Sequence, residues 1–222
     1  MLLSRIHLSP EAVSSHDLGP MLASPYRLHQ AIWSLFADHA DRRRDFLYRV
    51  DWDSGRPLLW TLSDRPPRPM LEPWEAQTRE LNPILRAGER LRFSLRANPV
   101  VTRDRKRHDV VMEAKRSLRA SGLSKVDWPT DAQLAQEHGA AWLVRRAEAR
   151  GFDVEPGEVL VDSYEVHTFK KPRGEDVRFA TCDFHGLLTV TDADVFLHTL
   201  HQGLGAAKGF GCGLFLIRRA AA

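Results

Sequence analysis

Tyr26 and His29 stand three residues apart in the segment Pro25-Tyr26-Arg27-Leu28-His29-Gln30-Ala31-Ile32-Trp33. On a helix that spacing makes them surface neighbours. Histidine changes charge near neutrality and can take or give a proton. Tyrosine, with a reference pKa of about 10, is a poor base but a good hydrogen-bond donor. The pair suits proton transfer, although a lone helical histidine suits packing equally well. A second group is Gly203-Leu204-Gly205-Ala206-Ala207-Lys208-Gly209-Phe210-Gly211-Cys212-Gly213. Glycines let the backbone approach a ligand, exposed amides can cradle a phosphate, and Lys208 adds a point charge. The same composition also suits a connector between a helix and a strand. It is not a Walker loop, because no Ser or Thr follows the lysine and a strand follows the loop. It is not a dinucleotide fingerprint either, because almost no chain remains after it.

Two basic runs are candidate phosphate contacts: Arg103, Arg105, Lys106 and Arg107 in one, Lys170, Lys171 and Arg173 in the other. Each also fits a solvated loop. His198 and His201 are i, i+3 on a predicted helix, but no third ligand accompanies them, so no metal is expected. Cys182 reads as strand packing, and Cys212 as a small residue in the glycine loop.

The elements that must position these groups follow from periodicity. Leu2 to Leu8 reads as a strand. Ser24-Pro25 reads as a cap with proline at the first helical position, opening a helix to about Asp38. Its Leu28, Ile32, Leu35 and Phe36 share one face, and His29 borders it. Phe46–Asp51 and Leu58–Leu62 are predicted strands joined by the turn Asp53-Ser54-Gly55. A short helix near Pro73 to Gln77 and a weak strand through Leu81 are expected next. Leu91 to Arg96 alternates cleanly and reads as a half-buried strand. Thr130-Asp131 opens a helix to Gly151. Val159–Phe169 and Val177–Val190 form a long predicted hairpin. Asp192 caps a last helix through His201, and a final strand spans Gly213–Ile217. The order strand, helix, strand, strand, helix, strand thus occurs twice. That is α+β, two tandem ferredoxin-like (βαββαβ) domains, near 1–85 and 89–222.

Composition limits the function classes. The 222 residues are 43% hydrophobic and 27% charged, ordinary values that argue against disorder. No apolar run approaches the roughly 20 residues of a membrane span, so no membrane partner is expected. The N-terminus lacks a signal-peptide pattern. Two cysteines give no disulfide framework, so a reducing cytoplasm is the expected location. The net charge is +3, and the sequence pI is near 9.1. Of 32 cations, 26 are arginine, whose planar fork suits phosphate.

Several segments together resemble one family. The run Gly203–Leu214 is similar to the glycine-rich signature of the CRISPR repeat-RNA processing endonucleases. Pro25–Trp33 resembles the catalytic helix of the CasE family, the crRNA-maturation subunit of Cascade. Arg44-Asp45-Phe46-Leu47-Tyr48, Leu91–Pro99 and Phe184–Val190 match the same family in the same order. The resemblance implies cleavage within each repeat of a CRISPR precursor transcript, at the 3′ base of a hairpin. It implies that no metal or other cofactor is needed and that the mature crRNA stays bound. The partners it implies are the repeat RNA hairpin and the other Cascade subunits. It carries the main catalytic role to His29, an assisting role to Tyr26 and the loop cation to Lys208. Gly203, Gly205, Gly209 and Gly211 become RNA-binding positions, and Lys170 to Arg173 a hairpin tip set against the stem. The alternative is an RNA-binding subunit of the same fold that does no chemistry.

Overall fold

The computed structural model describes residues 1–8, 24–37, 44–68, 74–170, 174 and 176–220. The first half holds β1 (Leu2–Leu8), α1 (Pro25–Ser34), β2 (Phe46–Asp53), β3 (Arg56–Ser63) and β4 (Trp74–Glu80). Its antiparallel sheet runs β2-β3-β1-β4. Helix α1 starts where the Ser24 side chain accepts the Arg27 amide, with Pro25 at the first position. It stops at Ser34, and Leu35 and Phe36 turn inward with Ile32 to meet Ile6, Phe46, Tyr48 and Leu59. The expected end at Asp38 lies outside the described residues.

The expected helix near Pro73 to Gln77 is not formed. Residues from Trp74 onward are strand β4, which pairs with β1 from Leu8↔Trp74 to Leu2↔Glu80. The helix-forming residues of Trp74-Glu75-Ala76-Gln77 yield to that edge pairing, since strand preference depends on neighbours more than on composition. Pro73 itself is outside the described residues.

The second half repeats the arrangement with an insertion. It comprises β5 (Arg90–Ala97), β6 (Val100–Arg103), β7 (Lys106–Asp109), α2 (Val110–Ala120), α3 (Asp131–Ala147), β8 (Phe152–Asp153), β9 (Val159–Lys170), β10 (Asp176–Val190), α4 (Ala193–Gln202) and β11 (Phe215–Arg219). Strands β11, β5 and β10 run side by side, and β9 pairs along β10. With β5, β9, β10 and β11 as the four strands, the order matches that of the first sheet. Both halves are ferredoxin-like. The basic run at Arg103 is a hairpin rather than a loop, turning at Asp104 and Arg105, both at positive φ. Helix α2 is an addition that periodicity did not bring out. Trp142 of α3 packs with Phe152, Phe184 and Phe196 in the larger core. Among the described residues, no helix is long and apolar enough to cross a membrane.

The two sheets touch. Leu3, Leu47 and Leu62 of the first pack against Leu214 before β11. Arg96 of β5 makes a two-pronged bond to Asp183 of β10, both distances 2.7 Å, and donates to the Val50 carbonyl of β2 at 2.5 Å. Arg49 of β2 donates to Asp51 and to Ser94 of β5, each at 2.6 Å. These ties fix how α1, on one sheet, faces the glycine loop, on the other.

Candidate active site

His29 sits half-buried on α1, facing the glycine loop. Its ring centroid lies 5.6 Å from that of Phe210 and 5.9 Å from that of Trp33. Nδ1 is buried with no hydrogen-bond partner. Burial lowers its pKa below the usual histidine value; the Gly209 backbone pulls upward, and the charge of Arg44 pushes further down. Tyr26, one turn earlier, stacks on Phe169 with centroids 6.3 Å apart and accepts from Gln30 Nε2 at 3.4 Å. Phe169 is the penultimate residue of β9, and its ring lies 5.2 Å from Phe210. Helix α1, the end of the long hairpin and the glycine loop therefore converge through Tyr26, Phe169, Phe210 and His29. Tyr26 and His29 lie one turn apart on α1, and of the two His29 meets the glycine loop directly, at Phe210.

The glycines of the loop do different work. Gly211 has φ +83°, and a Cβ there would meet the Tyr48 ring at 3.3 Å. Gly203, at φ +70°, closes α4, and a Cβ would come within 2.8 Å of Leu47 and of the Gly213 carbonyl. Both are demanded by the fold itself. Several loop amides are also engaged internally: Gly203, Leu204, Phe210 and Gly213 donate to backbone carbonyls. Gly209 differs. It has no left-handed φ, and a Cβ there would meet only Arg44 Nη1 at 3.4 Å and His29 Cε1 at 3.8 Å. Its carbonyl accepts the Tyr48 hydroxyl at 2.8 Å, which pins the loop to β2.

Lys208 Nζ donates to the Gln202 carbonyl at the end of α4, at 2.6 Å. Burial and then the charge of Arg44 lower its pKa. Arg44, Lys208 and His201 line one cavity of about 310 Å³ with Asp45 and Asp64. Arg44 was given no role from sequence, although it opens the matching segment Arg44–Tyr48. Only the fold shows that a residue just ahead of β2 reaches Gly209.

The remaining basic residues lie further out. Arg103 is paired with Glu113 at 2.6 Å and Asp104 at 3.5 Å. Arg105, Lys106 and Arg107 are exposed on the β6–β7 hairpin and share no bond or ring contact with the His29 cluster among the described residues. Lys170 is exposed at the end of β9, next to Phe169. Lys171 and Arg173 lie outside the described residues. No group of three His, Cys, Asp or Glu residues is placed to hold a metal ion among the described residues. Cys182 and Cys212 are fully buried, and burial pushes each thiol up to about 12.

Known proteins resemble this chain in sequence and fold. The model of a family described as "CRISPR associated protein" matches residues 1–219. The chain is 30% identical to the CRISPR system Cascade subunit CasE of Escherichia coli, over 85% of this chain and 89% of that one. It is also 30% identical to the CRISPR-associated endoribonuclease Cse3 of Thermus thermophilus, over 98% and 99% of the two chains. A solved structure of Thermus thermophilus Cse3, bound to an RNA representing a pre-cleavage complex, superposes with a TM-score of 0.73. The identity there is 25%, and the match covers 98% of each chain. Matched along its length in sequence and in fold, the chain belongs to the CasE family of CRISPR-associated proteins.

Proposed function

We propose that the protein is an endoribonuclease that processes CRISPR precursor RNA, cutting each repeat at the 3′ base of its hairpin. The mature crRNA then stays bound, and the protein serves in the cytoplasm as a Cascade subunit. The observation that carries this reading is His29, held where α1, the glycine loop and the long hairpin meet. The nucleophile belongs to the substrate, so no metal is needed to generate one. The ribose 2′-oxygen upstream of the scissile bond attacks phosphorus in line and loses its proton to His29. The bond from phosphorus to the next 5′-oxygen breaks, and that oxygen takes a proton from water. The products are a 2′,3′-cyclic phosphate and a 5′-hydroxyl. Because His29 Nδ1 is buried, Nε2 is the atom that meets the substrate. A pKa below the usual value keeps the ring neutral at pH 7, the form a general base needs. Tyr26 orients the ribose or the water through its hydroxyl. Lys170 and the residues after it, with the Arg103–Arg107 hairpin, hold the stem by its phosphates, since A-form RNA is read mainly by shape and backbone. The division near 1–85 and 89–222 belongs to the same proposal and is supported by one ferredoxin-like sheet in each part.

The test is cleavage of a repeat RNA with protein in excess. His29→Ala should lower the rate by about 10²- to 10⁴-fold and leave repeat binding nearly intact. Cleavage should persist in excess EDTA, and end-group analysis should find the cyclic phosphate. Wild-type-like cleavage by His29→Ala would overturn the assignment. Tight binding with no cleavage by the unaltered protein would favour the non-catalytic RNA-binding subunit.

A further inference from the structure

We propose that Arg44 is a catalytic residue: its guanidinium holds the nonbridging oxygens of the scissile phosphate while negative charge builds on them. This rests on the nuclease reading above and adds a residue to it. In-line attack on a phosphodiester needs a proton acceptor on one side and a cation against the equatorial oxygens. His29 supplies the first, and among the described residues Lys208 and Arg44 are the cations beside the glycine loop.

Lys208 is already committed, with its ammonium bonded to the Gln202 carbonyl at the end of α4. Arg44 is not committed. Its neighbour Asp45 takes Arg65 in a two-pronged pair at 2.8 and 3.2 Å. Among the described residues, Arg44 itself has no carboxylate or hydrogen-bond partner. A half-buried guanidinium without a counter-charge is costly to keep, and five donors are left unused. An incoming phosphate removes that cost.

The gap between the two groups marks where the phosphate sits. Arg44 Nη1 and His29 Cε1 lie 3.4 and 3.8 Å from one point, the place a Cβ would occupy on Gly209. Both therefore border the space that a side chain on Gly209 would fill. Gly209 is also the loop glycine that neither φ nor packing demands. Its missing side chain is explained if that space must stay clear between base and cation. Mutual repulsion between Arg44 and a protonated His29 agrees with this closeness.

Single-turnover cleavage of a repeat RNA tests the role. Arg44→Ala should be slower by about 10²-fold or more, while the repeat dissociation constant changes by less than about threefold. Arg44→Lys should recover part of the rate, because the charge returns without the planar fork. The decisive arm replaces the scissile phosphate by an uncharged methylphosphonate. There the penalty of Arg44→Ala should shrink to less than about threefold, since little charge is left to hold. An equal penalty on both substrates would mean that Arg44 merely supports the fold, and would overturn the proposal. So would an Arg44→Ala variant that cuts native RNA at the wild-type rate. Failure of the unaltered protein to cut native RNA would instead overturn the nuclease reading.

Discussion

The surroundings of His29 suit the proposed role of base. Phe210 and Trp33 strip water from the ring, and Arg44 adds like charge, so the protonated form is disfavoured. For a base, the rate is carried by the neutral form. Cleavage should therefore be flat through pH 7 to 8 and fall only when the pH drops through a value below the ordinary 6.5 of histidine. A single-turnover profile that declined with rising pH above 7 would assign His29 as the acid instead. Stability follows the same sign. A histidine whose folded pKa is below its unfolded one stabilises the fold fully above about 6.5 and progressively less as the pH falls. Two glycine substitutions in the loop separate chemistry from folding. Gly209→Ala meets only a flexible guanidinium and a ring edge at ordinary contact distances, without backbone strain. It should melt like the wild type yet cut about tenfold more slowly, because it occupies the reacting space. Gly211→Ala forces a side chain to φ +83° against Tyr48, and should lower stability by more than about 1 kcal/mol in denaturant titration.

In the proposed function, the long hairpin brings RNA contacts to the chemistry. Strands β9 and β10 pair from Gly186↔Val159 to Asp176↔Lys170, and the far end carries Phe169 against Tyr26 and Phe210. Lys170 projects from that end into solvent. If it neutralises one RNA phosphate, Lys170→Ala should reduce the slope of log affinity against log salt by a little under one. An unchanged slope would remove Lys170 from the interface. The hairpin was legible in the sequence because two long apolar-rich runs flank a Lys-Pro-Arg-Gly turn. Helix α1 was legible because Ser24-Pro25 announces it. β4 was legible only at its end, as the weak strand expected through Leu81, because its pairing with β1 overrides the helix-forming Glu75-Ala76-Gln77 at its start. Helix α2 was missed because Val110 and Val111 continue the pattern of a strand. Within the site, Tyr26 and His29 stood out only through the family resemblance of Pro25–Trp33, since helical spacing alone fits a packed histidine as readily. Arg44 did not stand out, since its relation to Gly209 exists only after the first sheet is laid against the second.

At the scale of the molecule, the site is a joint between two sheets, and its precision depends on what sets their angle. Among the described residues, three hydrogen bonds cross the joint, Tyr48 to the Gly209 carbonyl, Arg49 to Ser94, and Arg96 to the Val50 carbonyl, and Arg96 also lies 3.8 Å from Asp51. The bond from Arg96 to Val50 is steadied by the two-pronged bond to Asp183, which is only 8% exposed. Removing Asp183 leaves a partly exposed Arg96 with the Val50 carbonyl and Asp51 at 3.8 Å, so the cost is that of a lost charged hydrogen-bond pair, about 1–3 kcal/mol. Asp183→Ala should therefore lower unfolding free energy by that order in denaturant titration. Replacing both charges by apolar residues, Arg96→Met with Asp183→Leu, should recover much of the stability, because no lone charge remains. The same double variant loses the bond from Arg96 to Val50, so the sheets lose one of their fixed contacts. Cleavage should stay depressed even where stability returns, since a displacement of about 1 Å at the reacting atoms costs on the order of 10²-fold. A double variant that regains both stability and rate would show that the ion pair only stabilises. One that regains stability alone would make the pair a positioning device for His29 and Gly209.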